Sequence, residues 1–185
     1  MADGGYYQGN FVEGEMSGKG KRVWADGSYF EGDFSIGEKH GYGEMHYGLK
    51  MNAKDESYFG DWIDNRREGN GLLKMRDGTT LKGVFQNNQP EGHCEIKYAD
   101  GSSYEGMVKR GVIHGVGEQL MSDGTAYVGH FNEGVRDGEG TFYMQKEQGG
   151  TYSLKGDFSK GEPTLTPNEC HFELVSPVEK EEVDV

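Results

Sequence analysis

Glycine recurs in this chain at set intervals, and no other feature limits the fold as strongly. Gly9, Gly32, Gly60, Gly83, Gly106, Gly129 and Gly156 are separated by 23, 28, 23, 23, 23 and 27 residues. Nine positions beyond the first six stand Gly18, Gly41, Gly69, Gly92, Gly115 and Gly138. Eleven beyond stand Gly20, Gly43, Gly71, Cys94, Gly117 and Gly140, with Cys94 the single departure. Five beyond each of the seven anchors come Gly14, Gly37, Asn65, Asn88, Gly111, Gly134 and Gly161. Gly and Asn tolerate positive φ, so this column predicts a left-handed turn. A period held in several columns at once marks a repeat array.

Within each unit the apolar residues alternate, which predicts strands. First strands place Phe30/Phe34, Tyr58/Trp62, Leu81/Phe85, Tyr104/Val108, Tyr127/Phe131 and Leu154/Phe158 on one face, with a glycine between each pair. Second strands add Met45/Tyr47, Leu73/Met75, Ile96/Tyr98 and Phe142/Met144 in phase with their own glycines. The other face carries Glu31, Asp33, Lys82, Glu105 and Glu118. Asp26-Gly27, Asp77-Gly78, Asp100-Gly101 and Asp123-Gly124 read as tight hairpin turns. The predicted fold is all-β: one elongated, twisted antiparallel sheet of consecutive hairpins with an open groove and no helices in the array. Residues 1–161 form the array, six full repeats and a half, giving about 13 strands. Residues 162–185 form an acidic tail punctuated by Pro163, Pro167 and Pro177.

Hydrophobic residues make up only 33% of the chain, thin for a globule but sufficient where each unit covers only its neighbours. The formal charge of −13 disfavours nucleic acid and anionic membranes. Cys94 and Cys170 fit no metal or redox spacing, and the histidines find no metal-ligand partner at a usable interval. Gly14-Glu15-Met16-Ser17-Gly18-Lys19 imitates a phosphate loop but is one residue short and opens no helix. No catalytic constellation, metal or cofactor is expected. Met1-Ala2-Asp3-Gly4-Gly5 lacks the apolar core of a signal, so a cytoplasmic setting is expected.

The unit typified by Tyr104-Glu105-Gly106-Met107-Val108 and then Gly115-Val116-Gly117 resembles the MORN (membrane occupation and recognition nexus) repeat, from about Tyr6 to Gly161. The resemblance implies a non-catalytic scaffold in a cytoskeletal or ciliary assembly. The aromatic stripe implies a groove for a protein partner, either a helix or an extended segment. Trp24, Tyr47, Trp62 and Tyr98 are the candidate anchors, with Phe34, Phe85, Tyr104 and Phe131 beside them. Some relatives are tied to acidic phospholipids, so membrane tethering is an alternative that this acidic chain disfavours. Others are lysine methyltransferases with such repeats ahead of a SET domain, so the repeat portion or a shortened relative of such an enzyme is a second alternative. Cys170-His171-Phe172-Glu173-Leu174 is similar to that junction, though too little chain follows for such a domain.

Three regions carry lesser expectations. The longer loops at residues 47–57 and 144–153 are surface insertions that can touch partners. The tail holds seven acidic residues against Lys180, and its apolar island at His171–Val175 is expected to cover the last strand. Val183-Asp184-Val185 has the form of a strand-adding C-terminus. The first strand, preceded by five residues, leaves an open edge through which a weak homodimer is expected.

Overall fold

The structure is a computed structural model that describes residues 4–48, 54–145 and 150–164, and the backbone of 172–175. Among these there is no helix. Thirteen strands run in order: β1 (Tyr6–Val12), β2 (Glu15–Val23), β3 (Tyr29–Ser35), β4 (Glu38–His46), β5 (Asp55–Ile63), β6 (Arg66–Met75), β7 (Thr80–Gln86), β8 (Gln89–Lys97), β9 (Ser103–Lys109), β10 (Val112–Leu120), β11 (Ala126–Asn132), β12 (Val135–Gln145) and β13 (Thr151–Ser159). Each pairs antiparallel with the next in one open sheet, as the alternation predicts.

Two kinds of turn alternate along the chain. The tight one lies at Glu13-Gly14 and its counterparts. There the first residue, four beyond the anchor, has φ of 48° to 52°, and the second, five beyond, has φ of 66° to 92°. Two successive positive φ values define a type I′ turn, which matches the twist of the strands it joins. The second column is Gly or Asn as expected. The first holds Glu13, Ile36, Asp64, Asn87, Arg110, Glu133 and Lys160, and a β-branched residue such as Ile36 is strained there. The Asp-Gly pairs are not tight turns but the end of three-residue loops. In the first, Gly27 N–H donates to Trp24 O at 3.0 Å, Trp24 N–H donates to Ser28 O at 2.9 Å, and Gly27 has φ of 80°. Asp26 Oδ1 accepts from both N–H and Oγ of Ser28, and Asp100 and Asp123 repeat this with Ser102 and Thr125.

Each tight turn after the first also binds the preceding unit. Gly37, Asn65, Asn88, Gly111, Gly134 and Gly161 donate their N–H to the carbonyls of Met16, Lys39, Arg67, Pro90, Ile113 and Arg136, at 2.8–3.1 Å. Where the donor is Asn the side chain reciprocates: Asn65 Oδ1 accepts from Lys39 N–H, and Asn88 Oδ1 from Arg67 N–H.

The anchor glycines and their partners eleven residues on form one ladder across the sheet. Gly9 pairs Gly20, Gly20 pairs Gly32, and the line continues through Gly43, Gly60, Gly71 and Gly83 to Cys94, then on to Gly156. Beside it, every hairpin of first and second strands has a register shift, as between Gly9/Asn10 and Gly60/Trp62. The glycines nine beyond the anchor take φ of 63° to 102° at these bulges. Strict alternation does not reveal a bulge. Bulges bend strands, and here they let one face of a single layer close over its own side chains. Phe30, Tyr58 and Tyr127 reach 0% exposure there without a second layer. We refer to this as the inner face.

One ring lies over each glycine pair. A Cβ at Gly20 would meet the Tyr7 ring, at Gly71 that of Tyr58, at Gly117 that of Tyr104 and at Gly140 that of Tyr127, all closer than 3.0 Å. The hydroxyls of these tyrosines donate to the carbonyls of Asn10, Asp61, Met107 and His130, where the ladder is shifted. In the fourth repeat Leu81 replaces the ring, and Cys94 fills the space with its Sγ against Gly83. That accounts for the one departure in the column.

The first edge, β1, is open, with Tyr6, Phe11 and Val12 more than half exposed. The last is partly covered: β14 (Glu162–Pro163) pairs with the end of β13, and β15 (Phe172–Val175) pairs Thr151–Leu154. The tips of the two longer loops at 49–53 and 146–149, the pair Cys170-His171, and the C-terminal Val183-Asp184-Val185 lie outside the described residues.

Candidate functional site

The inner face contains all eight candidate residues at two different depths. Trp62, Phe85 and Tyr104 are 1% exposed, and Phe34 and Phe131 lie nearly as deep. They form the core. Their rings meet edge to face, at centroid distances of 5.0–5.4 Å for Phe30–Phe34, Phe30–Trp62, Tyr58–Trp62, Tyr58–Phe85 and Tyr104–Phe131. Such pairs add about 0.5–1.5 kcal/mol beyond their buried area. Trp62 also donates its indole N–H to Gly43 O at 3.1 Å, so it is fixed from two sides. These five side chains have no face open to a partner in this conformation.

Trp24, Tyr47 and Tyr98 are different: they are half-buried against the core. Each stands fifteen positions beyond its anchor glycine, in a column completed by Met75, Met121 and Met144, also half-buried. Backbone geometry positions them. Trp24, Met75, Tyr98 and Met121 each precede a three-residue loop, and each has its N–H and its carbonyl bonded across that loop. Tyr47 heads the longer loop, where Arg76 Nη2 donates to its carbonyl at 2.7 Å. The outcome is a row of large, partly open side chains, one per repeat, along one lip of the inner face. The three methionines share the column of the aromatic anchors, and that shared column is the sequence signal for them. Met is adaptable and suits surfaces that accept varied partners.

Cations also lie over this face, a placement that net charge alone does not reveal. Arg22 stands over Trp24 at 4.9 Å, Lys39 over Trp62 at 4.1 Å, and Arg67 over Tyr58 and Phe85 at 5.5 and 5.6 Å. Arg136 lies over Tyr127 and Phe142 and bonds Gln119 Oε1. Arg67 is paired with Asp55 at 3.0 Å. Burial, then the charges of Arg67 and Arg22, bring the Lys39 ammonium down to about 8. Burial raises the Tyr58 and Tyr104 hydroxyls, Tyr104 to about 12, and raises the Cys94 thiol. The raised value keeps Cys94 as the protonated, less reactive thiol.

The outer face is mostly polar but carries one aromatic group. Tyr29 stacks on His46 at 4.4 Å, His46 meets Phe59 edge-on at 5.5 Å, and Lys21 and Lys74 cap the two ends. Further along, Glu95, Glu105 and Glu118 stand directly opposite one another. Among the described residues no group of His, Cys, Asp or Glu is arranged to hold a metal ion.

A family model described as MORN repeat matches residues 7–29, 30–48, 58–80, 82–103, 104–126 and 127–146. No curated protein matches the chain. Among solved structures, the TCP domain of SAS-4 (dCPAP) of Drosophila melanogaster, in complex with a proline-rich motif of Ana2 (dSTIL), is 14% identical. It has a TM-score of 0.42 and covers 95% of this chain and 92% of its own. The TCP10 domain of Danio rerio CPAP, in complex with a STIL peptide, is also 14% identical, with a TM-score of 0.34 over 81% of this chain and 84% of its own. Likeness this weak carries no argument about function.

Proposed function

Since the chain belongs to the MORN repeat family, we propose that it is a non-catalytic scaffold that holds a segment of a protein partner along the inner face. The observation that carries this reading is the lip row of Trp24, Tyr47, Met75, Tyr98, Met121 and Met144, each half-buried and one per repeat. Adjacent members are two strands apart, roughly 9.6 Å at the usual strand spacing. A helix presents one face again every seven residues, roughly 10.5 Å. A polyproline segment does so every three, roughly 9.3 Å. A fully extended strand returns to the same face at roughly 6.8 Å, which does not match. The row therefore suits a helix or a polyproline-like segment, with the buried rings serving as its rigid support.

Site-specific photocrosslinking in the full-length chain tests this. Probes at Tyr98 and Met121 are expected to capture the same partner peptide, and probes at Glu118 and Val128 on the outer face to capture none. Crosslinks only from residues 162–185 or from the outer face would discard the reading. The cytoskeletal or ciliary setting rests on family membership alone, and imaging of the tagged protein away from filaments and cilia would remove it. Self-association through the open edge of β1 is supported by the exposure of Phe11 and Val12. Sedimentation in which the chain stays monomeric at high concentration would exclude that contact.

A further inference from the structure

Three cations stand among the rings on the inner face of the first three repeats, and one of them, Lys39, has no carboxylate beside it among the described residues. Arg22 on β2, Lys39 on β4 and Arg67 on β6 rise from successive second strands over Trp24, Trp62, Tyr58 and Phe85. Asp55 answers Arg67. Among the described residues no carboxylate pairs with Lys39, whose Nζ stands over the rings of Trp62 at 4.1 Å and Phe30 at 5.7 Å. The Lys39 backbone is held in place: its N–H donates to Asn65 Oδ1 and its carbonyl accepts from Asn65 N–H, both at 3.0 Å.

Other repeats show that a cation is not required at this position. The column seven beyond the anchor holds Met16, Lys39, Arg67, Pro90, Ile113 and Arg136, and Met16 is simply buried. A partly desolvated ammonium without a counter-ion destabilises the free protein, and burial with two neighbouring guanidiniums lowers its affinity for a proton. A single carboxylate supplied from outside would reverse both effects. The whole chain, at −13, repels extended anionic surfaces, whereas one acidic side chain on a slender segment can reach the cation.

We propose that Lys39, flanked by Arg22 and Arg67, is the seat for an Asp or Glu side chain of the docked protein segment. The half-buried Trp24 packs the methylenes of that residue, and apolar residues further along the segment reach Tyr47 and Tyr98. The inference rests on the inner-face reading above and adds to it the chemistry of one partner position. The charge balance favours a protein carboxylate over a lipid headgroup.

The test uses a displayed library of 21-residue helical peptides with one heptad position varied among Glu, Asp, Gln, Ala and Lys. It is selected on the full-length protein and on Lys39→Met and Lys39→Arg variants whose circular dichroism matches the parent. Enrichment of Glu or Asp over Gln by tenfold or more is expected on the parent and on Lys39→Arg, and is expected to vanish on Lys39→Met. For a selected Glu peptide, the Lys39 ε-resonance should titrate at a higher pH when bound than when free. Binders that lose affinity on Tyr98→Ala yet show no acidic preference would leave the inner-face reading standing and overturn the seat. Acidic enrichment that persists on Lys39→Met would also overturn it. A library with no binders to the parent would count against both. Lys39-dependent binding to phosphatidylserine vesicles in place of peptides would replace the protein segment with a membrane and overturn the proposal.

Discussion

The third and fourth repeats share their turns and their register shifts, yet solve one packing problem in two ways. In the third, Tyr58 lies over Gly60 and Gly71, its hydroxyl reaches Asp61 O, and its ring meets Trp62 and Phe85 edge-on. In the fourth, Leu81 takes the place of the ring, and the ladder position opposite Gly83 is Cys94, buried at 1% exposure. Val108 then stands where the other first strands have Phe or Trp, so aliphatic side chains separate Phe85 from Tyr104. None of Gly60, Gly71 and Gly83 has positive φ. Glycine is in the ladder because a ring lies on it, and in the turns because the backbone bends there. The same residue type answers two unrelated demands.

The largest test of that distinction is Gly71→Ala. The new methyl would stand inside 3.0 Å of the Tyr58 ring and hydroxyl. A loss of about 3 kcal/mol is expected, the upper part of the usual range for overpacking. At about 2–4 °C per kcal/mol for a chain of this size, the thermal midpoint should fall by about 6–12 °C. An unchanged midpoint would mean that the ring yields freely and the ladder is not set by packing.

Transplanting the fourth repeat's solution into the third gives a sharper test. Tyr58→Leu opens a space and Gly71→Cys overfills one, so each alone destabilises. Together they should recover about 1–2 kcal/mol relative to the sum of the single changes, read from a double-mutant cycle in urea. Strict additivity would show that Leu81 and Cys94 are not a matched pair. The smallest effect concerns the turns. Ile36, 79% exposed at φ of 48°, occupies the position that Asn87 holds in the fourth repeat. Ile36→Asn is expected to stabilise by about 1 kcal/mol, the cost of left-handed backbone for a side chain ill-suited to it. Urea unfolding with an unchanged slope would report it, and a lower midpoint would refute the strain.

Much of this was legible in the sequence, and the exceptions have physical causes. The column of Gly14, Gly37 and Asn65 announced its left-handed turn because few residues adopt that backbone. The rings of Phe30 and Tyr58 were placed correctly by alternation alone. Alternation could not separate Trp62 from Trp24, since depth depends on bulges, which leave only a glycine as their mark. The tight turns went unrecognised as type I′ because Ile36, Arg110 and Glu133 are poor signals for positive φ. The Asp-Gly pairs attracted that assignment instead. Lys39 and Arg67 carry no distinguishing mark in the sequence, and only the fold shows them lying over rings. The outer stack of Tyr29, His46 and Phe59 joins three strands, a contact no local pattern encodes.

The hydrogen bonds from each tight turn to the preceding unit have a consequence for how the protein is made. Asn65 reaches back to Lys39, Asn88 to Arg67, Gly111 to Pro90, and in these bonds the donor always belongs to the later unit. A ribosome releases the chain from its amino end, so the acceptor of each bond has already emerged when its donor appears. Every new hairpin can fasten to a finished one without waiting for sequence still in the tunnel. Shortening the chain from its carboxyl end would therefore leave the remaining backward bonds complete, while trimming the amino end would remove an acceptor that a later turn requires. The backward bonds thus allow the sheet to grow in the direction of translation.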